Sequence, residues 1–234
     1  ELGFGWVLGD HHDEPVLVLK TSQGNRSLAW DFLPPGSERF EHEGTVYAGY
    51  KDSPSHWEKG TKPEPINWYA GKQYDDCFSA AHEVLDRFDK EFPHWKGRGY
   101  EIAGFVWWQG HKDTGSEVHA QRYEQNLVHL IKTLRKDFQA TDAPFVVATI
   151  GFGGWEMEGN TLTVANAQLA VSGDKGKYAE FKGNVTTVET RDFWRSVEES
   201  PKNQGYHYNQ NAETYLNVGQ AMGKGMIELL ESSE

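Results

Sequence analysis

The sequence is poor in cysteine: its 234 residues contain one, Cys77, which excludes an internal disulfide. No apolar run approaches the roughly 18–20 residues that a membrane-spanning helix needs. The first residues also lack the basic start that is typical of a secretory signal peptide. Internal repeats and low-complexity linkers are absent too. We therefore expect a fold without disulfide staples or repeats, while the compartment stays open because many exported enzymes lack disulfides.

Positive charge is scarce as well. Lys and Arg number 23 against 35 Asp and Glu, which gives a formal net charge of −12 at pH 7. Because nucleic acids and anionic membranes repel an acidic surface, we expect neither as a partner. A neutral substrate such as a sugar suits this charge. The hydrophobic content of 37% and the nine Trp indicate a globular chain that can bury a full core.

Hydrophobic patterning predicts an α/β fold. Four short β-branched runs bounded by Gly, Pro or polar residues predict buried strands at 15–20, 102–108, 144–150 and 184–189. Three stretches with apolar residues along one stripe predict helices at 73–92, 118–138 and 212–230, and TVANAQLAVS suggests a fourth. Strands that alternate with helices imply a parallel sheet with helices on both faces.

One long stretch interrupts this alternation. Residues 36–65 are aromatic, proline-rich and polar, which favours a long excursion from the fold over a domain boundary. Such long loops are more often functional than idle. We therefore expect residues 1–234 to form a single domain.

Polar residues follow three of the predicted strands, at the edge where open parallel sheets bind ligands. Gly24 lies in a turn after the first strand, and Gln109 directly follows IAGFVWW. The backbone N–H of Gly24 and the carboxamide of Gln109 are suitable donors to a developing oxyanion. His207 lies in the glycine-flanked loop NQGYHYNQN before the last helix, a suitable place for a general base.

Three motifs together carry a resemblance to a known family. They are the turn in TSQGNRSL, the WWQG that ends the strand at 102–108, and GYHYNQNAETYLNVGQAMGKGM near the C-terminus. With these motifs the sequence resembles the SGNH-type carbohydrate esterases, and more narrowly the sialate O-acetylesterase-like group that includes acetylxylan esterases. The resemblance runs along nearly the whole chain. It implies a three-layer α/β/α sandwich with a parallel flavodoxin-like sheet, a serine nucleophile, a histidine base and an oxyanion hole, with no metal or organic cofactor.

Residue by residue, the resemblance assigns three catalytic roles. His207 matches the catalytic histidine and Gln109 matches the polar residue of the third family block. Gly24 matches the oxyanion glycine of the second block, although Asn25 stands where a second glycine is usual. The two donors and the base would therefore come from separate parts of the chain.

Two departures from the family pattern concern acids. Many members carry a glutamate, or an asparagine nearby, just after QG, where this chain has His111 and Lys112. An acid three residues before the histidine is also common, and Gln204 occupies that place. Asp192 is our first choice for the acid that orients the histidine, and Asp113 is the second.

Five residues are candidates for contact with a sugar. Asn25 directly follows Gly24, and His111 and Lys112 come two and three residues after Gln109. Trp57 and Trp68 lie in or near the long excursion and could form a stacking platform. For the tip of the strand at 102–108, a solvated surface without substrate contact is the alternative.

The catalytic candidates also have structural alternatives. His207 could cap the last helix, and Gly24 could be a plain turn residue. Gln109 could tie down a neighbouring loop, and Asp192 could form an ion pair with Arg191 or Arg195. The run DHHDE at 10–14 resembles a metal-ligand cluster, but adjacent residues seldom point at one ion, so we expect a solvated turn and no metal site.

The nucleophile motif of the family is missing. It is a GQSN-like turn after the first strand, and this sequence contains no such turn. In the usual strand order 2-1-3-4-5, that first strand lies between the strands predicted at 15–20 and 102–108. Since a sheet rarely tolerates unpaired backbone groups at its centre, we expect the chain to be an N-terminally incomplete part of a longer protein. A preceding or separate N-terminal segment would then supply the central strand and the serine.

The resemblance implies hydrolysis of O-acetyl or other acyl esters on sugars through a serine–histidine mechanism, with an acetylated carbohydrate as the substrate. The alternative is a non-catalytic carbohydrate-binding relative that kept the pocket and lost the nucleophile. A flavodoxin-like nucleotide binder is disfavoured because no glycine-rich phosphate loop follows any strand. From the habits of the family we expect a secreted or periplasmic protein.

Overall fold

The structure is a computed structural model that describes residues 1–232. The chain forms two compact units: the first joins Glu1–Val18 to the chain from Ala103 onward, and the second is Leu19–Ile102. The helices and strands, in chain order, are α1 (Leu2–His11), β1 (Phe40–His42), β2 (Thr45–Tyr47), β3 (His56–Glu58), α2 (Lys72–Asp86), α3 (Phe88–Glu91), β4 (Phe105–Trp107), α4 (His111–Thr114), α5 (Glu117–Asp137), β5 (Phe145–Ala148), α6 (Gly159–Ala170), β6 (Val185–Val188) and α7 (Ala212–Glu231).

A three-stranded parallel sheet lies in the first unit, with the strand order β4-β5-β6. Phe145 of β5 lies opposite Phe105 of β4 and Val185 of β6. Every residue of β5 is buried, and successive strand side chains point to opposite faces, so both faces of this strand are covered. The predicted α/β fold with a parallel sheet is confirmed, and the strands predicted at 102–108, 144–150 and 184–189 are its members.

The predicted helices are present as well. Those predicted at 118–138 and 212–230 correspond to α5 and α7, and TVANAQLAVS forms most of α6. The helix predicted at 73–92 ends at Asp86 and is followed by the four-residue α3. Local capping explains two of the starts, because Ser116 accepts the backbone N–H of His119 and Asn211 accepts that of Thr214. None of the helices between residues 1 and 232 combines the length and apolarity that a bilayer crossing requires.

Helices α1 and α7 pack through glycines. A Cβ atom at Gly3 would lie 2.5 Å from the carbonyl oxygen of Leu216, and one at Gly223 would lie 2.8 Å from the Cβ of Val7. Both distances are shorter than carbon contacts in a packed interior, so only hydrogen fits there. The close approach places Phe4 in the hydrophobic core that α7 shares with the sheet.

The prediction of a strand at 15–20 is wrong. Residues 15–20 have no strand structure, and the side chains of residues 16–19 are between 36% and 43% exposed. The physical reason is that β-propensity alone cannot hold a strand, because its backbone N–H and C=O groups need a partner strand. Strand β4 is accordingly an edge strand, and Val106 at its centre is 42% exposed.

Short strands occur where the sequence predicted only an excursion. In the second unit, β1, β2 and β3 form an antiparallel sheet in that order. Glu43 and Gly44 connect the first two strands with φ angles of 46° and 77°, as the two central residues of a type I′ hairpin turn require. Three-residue strands are too short to show an alternating pattern, so the Glu-Gly pair was the signal that could have revealed the hairpin.

We expect Gly3→Ala to destabilise the first unit, because the added methyl group would collide with the backbone of α7. Overpacking of this kind costs about 1–3 kcal/mol. Gly5→Ala is the matched control in the same helix, since a Cβ there meets no atom within 4 Å and alanine favours a helix over glycine by about 1 kcal/mol. Denaturant unfolding should show opposite signs for the two variants, and equal stabilities would contradict the glycine contact.

Candidate functional site

Strand β4 ends in a close contact that fixes Gln109 and Gly110. A Cβ atom at Gly110 would lie 2.7 Å from Cγ2 of Ile150 and 3.0 Å from Cγ1 of Val164. The glycine of WWQG is therefore required for the end of β4 to approach β5 and α6. Helix α4 begins directly afterwards, at His111.

The hydroxyl group of Tyr123 on α5 organises the strand end. It donates to the backbone carbonyl of Gln109 at 2.6 Å and lies 3.0 Å from the Oε1 atom of that residue. It accepts the indole N–H of Trp107 at 3.1 Å and the Nε2 group of Gln168 at 3.2 Å. Burial, and then the charge of Asp113, raise the pKa of Tyr123, so the hydroxyl keeps its proton and remains a donor.

Gln168 and Asp113 complete this buried network. Gln168 donates to the backbone carbonyl of Gln109 at 2.7 Å and accepts the backbone N–H of Ile150 at 2.8 Å. Asp113 accepts the Nε2 group of Gln109 at 2.8 Å. Both Gln168 and Asp113 are fully buried. The carboxamide of Gln109 is thus held in one place, which agrees with its tying down neighbouring elements and also with its serving as a fixed donor.

His207 lies beside His111 in an aromatic group. The rings of Tyr206 and His207 lie 4.6 Å apart, and Tyr206 stacks on His111 with ring centroids 5.3 Å apart. Phe152 contacts the edge of His111 at 5.4 Å. Partial burial, the charge of His207 and the charge of Lys112, in that order, lower the pKa of His111. Two imidazoles therefore lie close together near the polar end of β4.

The loop that carries His207 has an unusual backbone. Tyr208, Asn209 and Gln210 have consecutive positive φ angles of 50°, 52° and 56°, a conformation that costs most residues of order 1–3 kcal/mol each. Buried Asn209 holds the loop, because its side chain accepts the backbone N–H of Gln204 at 2.9 Å and donates to the carbonyl of Arg195 at 3.1 Å. Such strain is typical of functional sites.

Buried Tyr208 anchors the same loop to the residues that follow β4 and β5. Its hydroxyl accepts the backbone N–H of Gly151 at 3.3 Å. Its ring lies 4.6 Å from that of Phe152 and 5.0 Å from that of Trp108. The adjacent His207 is exposed, so the buried neighbour anchors the loop while the imidazole faces solvent.

The structure does not bring Asp192 to His207. Asp192 is exposed, and its Oδ1 atom accepts the indole N–H of Trp155 at 2.6 Å. Within residues 1–232, no hydrogen bond or ion pair joins it to His207. Arg191, the adjacent arginine, instead forms a bidentate pair with Glu189. The orienting role of Asp192 stays a prediction, and Asp113, the second choice, lies buried against Gln109.

In the second unit, Gly24 and Asn25 lie at an exposed turn. Asn25 has a φ of 58°, in the left-handed region that glycine prefers and that asparagine tolerates better than most residues. This explains how asparagine replaces the usual glycine. Buried Ser27 closes the turn, because its backbone N–H and its hydroxyl donate to Asp31 at 2.8 and 3.0 Å.

The two tryptophans predicted as a sugar platform both lie against cations. The guanidinium of Arg26 lies 4.0 Å from the ring centroid of Trp68. That of Arg39 lies 5.2 Å from the ring centroid of Trp57. A cation over an aromatic face is attracted to it, so these contacts occupy part of the proposed stacking surface. The platform stays a prediction.

Several residues of the site were missed by sequence reasoning. Tyr206 and Tyr208 flank His207 in GYHYN, and that dense aromatic pattern was the available signal. Tyr123 and Gln168 lie on helices far from WWQG in the sequence, and no local pattern marks them. Among the described residues, no group of three or more His, Cys, Asp and Glu could hold a metal ion.

Comparison with known proteins identifies the family. The model of the family described as carbohydrate esterase, sialic acid-specific acetylesterase, matches residues 52–228, more than half of the chain. The chain belongs to this carbohydrate esterase family. The resemblance to the sialate O-acetylesterase-like carbohydrate esterases is thereby confirmed.

One solved structure is similar to this member of the esterase family. It is the crystal structure, at 1.6 Å resolution, of a protein from Arabidopsis thaliana. The two sequences are 22% identical, and the TM-score is 0.46. The match covers 66% of this chain and 52% of the other, so this chain spans about half the length of that protein. No curated protein matches the sequence.

We expect His111 to titrate below 6.5 in an NMR titration, because partial burial and nearby positive charge disfavour its protonation. His207→Asn should raise the pKa of His111 by removing one of these charges, and Lys112→Gln should raise it less. Since protonation is disfavoured in the folded state, this residue should lower stability as pH falls from 6.5 through its folded pKa.

His129→Asn, on α5, is the control for this titration. It removes an imidazole outside the group of rings around His111 and should leave that titration unchanged. An unshifted pKa of His111 in the His207→Asn variant would contradict the proximity of the two rings.

Proposed function

We propose that this chain carries the base and one oxyanion donor of an enzyme that hydrolyses O-acetyl esters on sugars through a serine–histidine mechanism. One observation supports the proposal most strongly. In a member of a carbohydrate esterase family, the exposed His207 lies in a strained, anchored loop beside His111. His111 lies two residues after the fixed carboxamide of Gln109. The proposed base and the proposed donor thus belong to segments near the sheet edge where open parallel sheets bind ligands.

The proposed reaction has two steps. In the first, His207 accepts the serine proton as the serine oxygen attacks the acyl carbon, and returns it to the departing sugar oxygen. In the second, His207 accepts a proton from water, whose oxygen attacks the acyl-enzyme, and returns it to the serine. Gln109 donates to the oxygen that becomes negative in both steps. The products are acetate and a sugar hydroxyl.

The serine of this mechanism is proposed to come from an N-terminal segment that pairs with the open edge of β4. Strand β4 is an edge strand whose central residue, Val106, is partly exposed. Residues 16–19 are four consecutive apolar residues, each more than a third exposed. Central strands of parallel sheets are covered and paired on both sides. A strand-forming segment beside β4 would form hydrogen bonds with the backbone groups on the open edge of that strand.

Hydrogen exchange tests the open edge. The backbone N–H of Phe105 donates to the carbonyl of Pro144, so the N–H of Val106, one residue on, faces the other side of β4. We expect the Val106 amide of this chain to exchange fast, while the amides of Val146 and Val147 in the central strand exchange slowly. Slow exchange at Val106 and also at the amides of residues 16–18 would mean that these residues already pair with the edge of β4. That result would contradict the proposal.

The oxyanion role of Gln109 is tested by esterase activity on p-nitrophenyl acetate, measured on this chain together with the proposed serine-bearing N-terminal segment. Loss of one oxyanion donor typically lowers kcat by about 10²–10³-fold, and we expect this for Gln109→Ala. His207→Ala should abolish activity, and a serine-directed fluorophosphonate should block the wild type with a matching gain in intact mass. Full activity in Gln109→Ala would refute its role. Sugar binding without activity or labelling would favour a non-catalytic carbohydrate-binding protein.

The same assay tests whether the backbone N–H of Gly24 donates to the oxyanion. A Cβ at this residue meets no atom within 4 Å, so Gly24→Ala should fold and keep both the N–H and the activity. Gly24→Pro removes the N–H and should lower kcat by about 10²–10³-fold if that group donates to the oxyanion. Equal activity of the two variants would leave Gly24 with the plain turn role.

A further inference from the structure

A fully buried carboxylate lies directly beneath the proposed oxyanion donor. Asp113 has no exposed surface, and its Oδ2 atom accepts the Nε2 group of Gln109 at 2.8 Å. We propose that Asp113 is a positioning residue. It fixes the carboxamide of Gln109 in the orientation in which the N–H₂ group faces the carboxylate of Asp113. The inference rests on the oxyanion role proposed above for Gln109. Because Asp113 is buried, it acts through Gln109 and does not touch substrate.

The hydrogen-bond partners decide which way the carboxamide of Gln109 points. Tyr123 accepts from Trp107 and from Gln168, and these two bonds use both acceptor positions of a hydroxyl group. The hydroxyl can accept no further bond, and its single proton is shared between the backbone carbonyl of Gln109 at 2.6 Å and the Oε1 atom of the same residue at 3.0 Å. A reversed carboxamide would place its N–H₂ group against a hydroxyl that can accept no more.

The acid enforces the same orientation from the other end. A carboxylate accepts hydrogen bonds, and a reversed carboxamide would turn the oxygen of Gln109 towards the Oδ2 atom of Asp113. Two acceptors cannot bond to each other, so the reversed carboxamide would lose its hydrogen bond to Asp113, and such a loss in a buried place is costly. Tyr123 and Asp113 thus select one orientation of Gln109 together, and Asp113 is the one of the two that contacts the N–H₂ group that is proposed to donate.

A double-mutant cycle tests the positioning role. Asp113→Leu should lower kcat about 10–10²-fold with KM changed less than about 3-fold, because only transition-state stabilisation is lost. Asp113→Asn keeps an acceptor oxygen and should restore most of kcat. In a Gln109→Ala background, Asp113→Leu should cause no further loss. Losses that multiply, or a change in KM alone, would overturn the inference.

An NMR measurement covers the case in which the leucine variant does not fold or the wild type shows no esterase activity. The two Nε2 protons of Gln109 should give separate, slowly exchanging signals in the wild type. In Asp113→Asn they should shift or exchange faster, while those of Gln168 stay unchanged. Gln109 signals that are the same in both proteins would overturn the inference. With the serine-bearing segment present, an inactive wild type with the expected shift would refute the proposed function and keep the positioning role.

Discussion

The saturated hydroxyl group of Tyr123 is the interaction that sets the geometry of the strand ends. It joins the end of β4, through Gln109 and Trp107, to Gln168 on α6. Gln168 in turn holds the backbone N–H of Ile150 after β5. A single buried oxygen therefore links two strands and two helices. Removing it would leave buried donors without acceptors, and each such group costs about 1–3 kcal/mol.

The site combines two kinds of support. Gln109 is held from within by buried polar side chains that leave it little freedom. His207 is held by its neighbours in the chain, because Tyr208 and Asn209 are buried while the imidazole is exposed. The proposed donor thus belongs to the rigid end of the sheet, and the proposed base belongs to a surface loop. This division suits the proposed role of His207, which requires it to reach both a nucleophile and a leaving group.

Much of the fold of the first unit could be predicted from the sequence, because its signals are local. The apolar run before Gln109 and the amphipathic stripe of α5 each specify an element by themselves. The run at 15–20 has the same composition as a strand and yet forms none, since a strand also depends on a partner that local sequence cannot supply. The sequence pattern indicates the propensity of a segment to form a strand, and it does not indicate whether a partner strand is present.

The polar network shows the same limit within the site. Gln109 and His207 became candidates because each lies in a recognisable motif. Tyr123 and Gln168 were not found, since their contacts with each other and with Gln109 span 14 to 59 positions in the chain. A buried glutamine inside a helix looks like any surface glutamine until the fold is known. The catalytic candidates were therefore predictable, and the side chains that hold them were not.

The left-handed run at Tyr208, Asn209 and Gln210 has a thermodynamic consequence. Residues with such backbone angles have few alternative conformations when their side chains are locked in place, so the loop is already ordered before a ligand arrives. Ligand binding then entails little additional loss of chain entropy, which otherwise amounts to roughly 1–2 kcal/mol for each backbone residue fixed. The strained backbone of the free protein therefore preorganises the loop for binding.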